Sequence, residues 1–496
     1  MFCRRYSVYL LLLSTIFLFS CEEAVLEPSL KGELPLRKLY QTEDGFLSAL
    51  NGAYSPLSSG NYYDLDLPQF LARSSDDGWT WRKETAAQTF TVEPTFTNTQ
   101  GFWSESYSGI TRTNTLLSRL EGTDVVSGTV SEVIKGQAKF LRALYYFNLV
   151  RLFGSVPLIT DEVNFREDAT KSGAPIEEVF SQIKTDLGEA INLLPSSYSG
   201  TDKFKVGMAT KGAAKTLKAK VHLEANEWNQ AATLAQEVIN SGVYELHVNY
   251  EDNFYGNAEN GKESIFEVQF SNSSGSVGAS WRFLDPQQFG GGSGTLPTDS
   301  NQDFGVSTTT PDGLVQALES DEREEVTLST YELPNFLDPT QPDGSLYHYR
   351  KYFDNNQFSS GQSPFNFPVL RLSEVYLIAA EALNEQGAGN PDAIRYVNKV
   401  RNRVGLSDVA QSVAQDQDAF RQAIRHERRV ELAFEGKRFF DLNRWSILRE
   451  EISKTGVEID SEKFIDHPLT GKPYYLNPIP ASELVNNPKL EQNPGY

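Results

Sequence analysis

Residues 211–239 read KGAAKTLKAKVHLEANEWNQAATLAQEVI, and this stretch carries the clearest helical pattern of the chain. Small and apolar residues recur in each half at helical spacing: Ala213, Leu217, Val221 and Ala225, then Trp228, Ala231, Ala235 and Val238. Because an α-helix turns once every 3.6 residues, each half predicts an amphipathic helix with one buried face. The alanines allow the two helices to approach closely, and the connection between them is short. The stretch therefore predicts a helical hairpin.

The same pattern recurs on both sides of this hairpin, in residues 132–152, 176–194, 372–382 and 394–404. Pro175 stands just before the second of these segments, where a helix tolerates proline, and Pro195 ends it. Paired helices with short connections predict a mainly α fold of stacked, tetratricopeptide-like hairpins, although a strict 34-residue repeat is not kept. A helical array of this kind presents a surface and supplies no chemistry of its own.

Two regions, residues 55–100 and 244–368, lack the helical period. Within the second, residues 264–270 and 346–353 alternate like strands, and Gly290–Gly294 is typical of a flexible loop. An ordered connection of this length is usually functional. We therefore predict an N-terminal helical scaffold over residues 37–246, with an irregular ligand-loop region near 55–100. An irregular, partly β binding insert follows over 247–367, and a C-terminal helical part over 368–496 completes the scaffold.

The N-terminus indicates export. Arg4 and Arg5 precede an almost wholly apolar run, so residues 1–20 predict a signal peptide that is too short to span a membrane. Leu18-Phe19-Ser20-Cys21 resembles a bacterial lipobox, which predicts lipid attachment at Cys21 and a tether over residues 21–36. A plain signal peptide with an incidental Cys21 is the alternative. Cys3 lies in the removed segment, so the exported chain has no cysteine pair for a disulfide.

Charge and motifs exclude several classes of function. The net charge of −21 argues against nucleic acid and anionic lipid surfaces as partners. None of the five histidines pairs at metal-binding spacing, and no phosphate-binding glycine loop or nucleophile elbow is present. We predict no cofactor, no metal and no catalytic residue. Asp76 and Asp77 remain a conceivable glycosidase pair, although loop capping or a bound cation is the favoured role.

Five blocks of the sequence carry a family resemblance: GQAKFLRA at 136–143, ATKGAA at 209–214, VLRLSEVYLI at 369–378, ERRVELAFEGKRF at 427–439 and QNPGY at 492–496. Together they resemble the SusD/RagB family and follow its order over nearly the whole chain. The resemblance implies an outer-membrane surface lipoprotein that serves a SusC-like TonB-dependent transporter. It also implies an oligosaccharide ligand, with peptides or glycoprotein glycans as an alternative cargo.

The fourth block is dense in charge and places Glu427 and Glu431 on one helix face with apolar Phe420, Ile424 and Phe434. Buried carboxylates need partners, so this face predicts a structural ion-pair network rather than a catalytic site. The arginines nearest in sequence are the expected partners: Arg428, Arg429, Arg438 and Arg444.

The tryptophans indicate where a ligand binds. Trp103, Trp228 and Trp445 lie in regular blocks and are expected to pack, whereas Trp79, Trp81 and Trp281 lie in the irregular regions. Sugar rings stack on aromatic planes, and their hydroxyls need polar partners. The predicted glycan contacts are Trp79, Trp81, Trp281, Arg73, Asp77, Arg82 and Arg282, with Phe283 and Tyr347 next. We expect the three tryptophans to converge on one exposed surface.

The sequence thus favours a surface glycan-binding lipoprotein. A surface glycoside hydrolase on a helical scaffold is the main rival, and incubation with oligosaccharides would separate them. A purely structural transporter subunit would bind no ligand.

Overall fold

The computed structural model describes residues 36–79, 85–198, 203–254, 258–270, 305–306, 313–332, 345–352 and 365–496. The predictions for the signal peptide, Cys21, the glycine run, Trp81, Arg82, Trp281, Arg282 and Phe283 lie outside these residues.

The fold is mainly α. The helices before the insert are α1 Leu36–Leu39, α2 Glu43–Tyr54, α3 Asp66–Arg73, α4 Thr97–Leu120, α5 Gly128–Phe153, α6 Arg166–Ala169, α7 Ile176–Leu193, α8 Lys211–Glu224 and α9 Trp228–Ile239. Within and after the insert follow α10 Leu314–Leu318, α11 Glu324–Thr327, α12 Leu372–Gln386, α13 Pro391–Arg403, α14 Gln411–Ala414, α15 Gln417–Glu431, α16 Arg438–Arg444, α17 Leu448–Ser453 and α18 Ala481–Asn486.

The strands are short: β1 Gly78–Trp79, β2 Ser264–Val268, β3 Gly305–Val306, β4 Leu328–Glu332, β5 Ser345–Tyr349, β6 Phe367–Arg371, β7 Phe464–Asp466 and β8 Pro473–Tyr475. They pair antiparallel as β1 with β3, β2 with β6, β4 with β5 and β7 with β8. The predicted strands at 264–270 and 346–353 are confirmed as β2 and β5.

The long helices form a continuous array. In chain order, α4 packs on α5, α5 on α7, α7 on α8 and α8 on α9. Helix α9 then packs on α12, and α12 packs on both α13 and α15. The predicted hairpin of residues 211–239 is α8 and α9. The array is therefore interrupted in sequence between Ile239 and Leu372 but is continuous in space.

Close helix packing explains one glycine. Gly109 of α4 faces the ring of Tyr145 on α5, and a Cβ at position 109 would come within 2.2 Å of that ring.

Side-chain caps begin several helices, since Thr42, Thr210 and Asp416 accept hydrogen bonds from backbone N–H groups in the first turns of α2, α8 and α15. The stretch from 211 to 239 thus has both the apolar stripe and the cap that a helix needs.

The region from 55 to 100 is less irregular than the sequence predicts. It contains α3, whose Leu67, Phe70 and Leu71 are buried, and α4 begins inside it at Thr97. Helix α3 spans only eight residues, too few for a helical period to stand out from a short apolar run. In the described part of the chain, no helix is long and apolar enough to cross a membrane.

Candidate functional site

The two loop regions meet through a short antiparallel pairing. Gly78 lies opposite Val306, and Trp79 lies opposite Gly305. A Cβ at position 78 would fall 2.1 Å from the carbonyl oxygen of Ala72, so only glycine allows the chain to turn this closely past the end of α3. The pairing joins the loop that follows α3 to the insert. The two regions therefore meet in space at this pairing.

The pairing concerns the backbone of Trp79 only. Trp81 and Trp281 lie outside the described residues, so a platform shared by the three indoles stays a prediction. Arg73, at the end of α3, is half-buried. The other three tryptophans are packed as expected: Trp103 and Trp445 are buried, and Trp228 packs partly buried against the core.

The loop that leads to Trp79 is fixed by two buried aspartates. Asp76 accepts hydrogen bonds from Arg438, at 2.8 Å from Nε and 2.7 Å from Nη2. Asp77 accepts from Arg429, at 2.8 Å from Nε and 2.5 Å from Nη2. Nη2 of Arg429 also lies 3.0 Å from Oδ2 of Asp76. Two arginines therefore hold two consecutive carboxylates.

Burial and the arginines have opposite effects on these carboxyl groups. Burial alone would raise the pKa of Asp76, but Arg438 and Arg429 together hold that pKa at about 2. For Asp77 burial prevails and raises the pKa, although Arg429 opposes it. The predicted ligand contact Asp77 is only 3% exposed, and its Oδ1 is occupied by Arg429. This geometry places Asp77 as a support of the loop and argues against a direct role as a ligand contact.

The insert is fixed by a second cluster, centred on Glu431 at the end of α15. Glu431 binds Arg371 at 2.5 Å, Arg403 at 2.5 Å and Arg323 at 3.0 Å, and its side chain is fully buried. Burial would raise the pKa of Glu431, but the three arginines hold it well below its usual range. The carboxylate is therefore charged and is neutralised by guanidinium groups.

Two further glutamates extend this cluster. Glu427 binds Arg323 at 2.6 Å, and Glu435 binds Arg371 at 2.7 Å and Lys351 at 3.1 Å. Burial lowers the pKa of Lys351 to about 8, although Glu435 opposes that shift. The predicted buried network is confirmed.

The predicted partners of the network are wrong. Arg429 and Arg438 bind Asp77 and Asp76 in the loop after α3. Arg428 and Arg444 bind Asp441, and Arg444 also binds Glu381. The cationic partners of the glutamates come from distant elements: Arg323, Lys351, Arg371, Arg401 and Arg403. Glu263 adds a further buried carboxylate by binding Arg371 and Arg403. Side chains of consecutive residues on a helix point in different directions, so neighbours in sequence rarely pair.

These distant residues were missed by reasoning from the sequence. One signal was available: Arg371 interrupts the apolar run Val369-Leu370-Arg371-Leu372, and a charge in such a run implies a buried partner. No comparable signal marks Arg323 or Lys351. Within the described ranges, no group of three or more histidine, cysteine, aspartate or glutamate residues is arranged to hold a metal ion.

Two family models match the chain. The model of the SusD family matches residues 339–496, and a model described as starch-binding associating with outer membrane matches residues 46–223. The SusD-like protein P2 of Formosa agariphila is 28% identical over 99% of this chain and 100% of its own. The starch-binding protein SusD of Bacteroides thetaiotaomicron is 23% identical over 84% and 83%.

Solved structures agree. A laminarin-binding SusD-like protein is 30% identical, with a TM-score of 0.73 over 92% of this chain and 100% of that one. A structure of a SusD homologue from Bacteroides thetaiotaomicron, 22% identical, has a TM-score of 0.75 and shares the fold. With these matches spanning the array, the insert and the C-terminal helices, the chain belongs to the SusD family.

Proposed function

We propose that this protein captures an oligosaccharide at the cell surface and delivers it to a SusC-like TonB-dependent outer-membrane transporter. The similarity that carries the proposal is the 30% identity to a laminarin-binding SusD-like protein over that protein's whole length. A second structural neighbour, 23% identical, is a surface glycan-binding protein from Bacteroides uniformis. The starch-binding SusD relative supports a carbohydrate as the class of ligand.

The proposed site lies where the loop after α3 meets the insert. Aromatic planes bind the apolar faces of sugar rings, and guanidinium groups donate to sugar hydroxyls. We assign these roles to the loop tryptophans and arginines: Trp79, Trp81, Trp281, Arg73, Arg82 and Arg282. The pairing of Trp79 with Gly305 supports the assignment because it joins the two regions that carry these residues.

Cys21 is the proposed lipid attachment site, with residues 21–36 as the tether to the outer membrane. A lipid anchor suits this chain because its net charge of −21 disfavours electrostatic binding to anionic lipid. The family description that mentions outer-membrane association supports the same compartment.

Binding without catalysis is proposed over hydrolysis. The candidate pair for acid–base chemistry, Asp76 and Asp77, is buried and bound by Arg438 and Arg429. A glycosidase needs one carboxyl to donate a proton and another to attack or to activate water, both facing a cleft. Neither aspartate is placed to do this in the present geometry. A peptide or glycoprotein glycan remains the alternative cargo.

Affinity electrophoresis and calorimetry with laminarin, starch and a panel of other glycans test the proposal. We expect saturable binding to at least one glycan, with no shorter products by chromatography after long incubation. Shorter products would support the hydrolase. Binding of peptides alone would replace the ligand class, and no ligand at all would favour a structural subunit. Co-purification of a TonB-dependent barrel with the tagged lipoprotein tests the delivery step.

A further inference from the structure

The segment Glu427–Arg438, which we name the elbow, connects the last turns of α15 to the start of α16. Its glutamates and its arginines have different partners. Glu427, Glu431 and Glu435, four residues apart, bind Arg323 and Lys351 of the insert. Arg429 and Arg438 bind the loop after α3. One short segment of the scaffold therefore contacts both of the regions that the proposed glycan site needs.

The glutamates of the elbow hold the insert at two points, Arg323 and Lys351, and hold Arg371 just after the insert ends. Arg323 stands between α10 and α11, and it binds Glu427 at 2.6 Å and Glu431 at 3.0 Å. Lys351 follows β5, and its ammonium group donates to the carbonyl oxygen of Ala433 at 2.8 Å and to Glu435 at 3.1 Å. Arg371 ends β6 and binds Glu435 through both Nε and Nη2, at 2.7 and 2.8 Å.

Arg429 and Arg438 of the elbow hold the loop after α3 close to the pairing of β1 with β3. Asp76 and Asp77 directly precede Gly78 and Trp79, which pair with Val306 and Gly305 of the insert. Bidentate contacts between arginine and carboxylate fix both the distance and the plane of the two groups. Because these pairs are buried, salt screens them weakly. Because Trp79 follows Asp77 by only two positions, the elbow also restrains the backbone of Trp79.

We infer that the elbow positions the glycan site. Arg429 and Arg438 set the affinity for glycan by fixing the loop after α3 against the insert, without touching the glycan. The inference rests on the proposed function for its ligand. Its physical basis is preorganisation, since a loop that is already held in the bound geometry loses less conformational entropy on binding. Arg429 and Arg438 are thus positioning residues.

Arg438→Lys tests the inference because lysine keeps the charge but cannot bind Asp76 through two nitrogens. The matched control is Arg444→Lys on the same helix α16. Arg444 also makes a bidentate contact, to Glu381 at 2.7 Å from Nη2, but its carboxylate partners belong to α12 and α16 and not to the loop. Both variants should lower the melting temperature to a similar extent. Only Arg438→Lys should weaken glycan binding, by about tenfold, which corresponds to about 1.4 kcal/mol.

Hydrogen exchange provides a readout that does not need the ligand. Amides of residues 74–79 and 305–306 should exchange faster in Arg438→Lys than in Arg444→Lys, while amides of α5 should exchange alike in both. Asp76→Asn serves as a second variant if Arg438→Lys does not fold, and the same difference is expected of it.

Equal losses of affinity in Arg438→Lys and Arg444→Lys would overturn the inference, because general destabilisation would then explain both. Wild-type exchange and wild-type affinity in Arg438→Lys would also overturn it. If the wild-type protein binds no glycan, the proposed function fails by itself. The exchange comparison then decides the elbow: faster exchange in the loop supports its positioning role, and unchanged exchange overturns it.

Discussion

Replacing Glu431 by alanine should destabilise the protein more than any exposed glutamate substitution. Glu431 is fully buried and binds Arg323, Arg371 and Arg403 at once. Among the residues that the structure describes, the cluster around it is balanced, since five cations face five carboxylates: Arg323, Lys351, Arg371, Arg401 and Arg403 face Glu263, Asp321, Glu427, Glu431 and Glu435. The substitution therefore leaves one buried positive charge without compensation.

The expected loss of stability depends on the ion-pair partners that each arginine keeps after the substitution. Arg323 keeps Asp321 and Glu427, Arg371 keeps Glu435, and Arg403 keeps Glu263, so none loses every partner. Removing one member of a buried ion pair costs about 3–5 kcal/mol. At about 2 cal/mol/K of unfolding entropy per residue, a chain of 496 residues loses about 1 °C of melting temperature per kcal/mol. We therefore expect a decrease of about 3–5 °C.

Calorimetry and urea unfolding measure this change. Glu431→Gln keeps the volume and removes the charge, so the part of the loss that it shares with Glu431→Ala is electrostatic. Glu132→Ala, at an exposed position of α5, is the control and should melt within about 0.5 °C of the wild type. A normal melting temperature in Glu431→Ala would show that the buried arginines do not need this carboxylate. If such a stable variant had also lost glycan binding, Glu431 would be part of the site and not of its support.

Three further outcomes are expected. Burial alone would raise the pKa of Glu381, but Arg444, together with Arg428 and Trp445, holds that pKa at about 2, below its usual 4.5. Glu381 therefore stabilises the fold above pH 4.5 and loses this contribution as the pH falls towards 2. Between pH 7 and 3 the wild type should lose about 2 kcal/mol more than Glu381→Gln in denaturant titrations, and equal slopes would contradict this. Cys21→Ala should move the protein to the soluble fraction of cells that lack the barrel, and continued membrane association would exclude lipid as the anchor. Loss of a stacking platform removes about 0.5–1.5 kcal/mol. Alanine at a loop tryptophan (Trp79, Trp81 or Trp281) should therefore weaken glycan binding several-fold or more, unlike alanine at the packed Trp228. Unchanged affinity in all three loop variants would move the site towards Phe283 and Tyr347.

The helical array could be predicted because its signal is local. In α8 the apolar stripe and the capping residue Thr210 lie within fifteen residues of each other, so both appear in one short window of sequence. Helix α3 was missed because two turns of helix do not repeat the pattern often enough. The strands β2 and β5 lie in the stretches 264–270 and 346–353, whose local alternation of apolar and polar residues could be read in the same way as the stripe of α8.

The ion-pair partners could not be predicted because they depend on contacts far apart in the chain. Arg323 and Glu431 are 108 positions apart, and Asp76 and Arg438 are 362 apart. The spacing of Glu427 and Glu431 places them on one helix face with apolar residues, which requires buried partners but does not identify them. Only the fold, which returns the insert and the loop after α3 to the end of α15, selects the arginines that each carboxylate binds.

Charged anchors suit the task of holding loops that must also face a polar ligand. A loop held by apolar contacts would need a large buried area, and that area would be lost to the surface that binds sugar. A bidentate pair between Asp76 and Arg438 holds the chain through two side chains, and it does so three residues before Trp79. Apolar residues of similar volume could make the fold equally stable, because a buried ion pair contributes little net stability. They would not define one orientation of the loop, whereas a planar guanidinium bound to a planar carboxylate does.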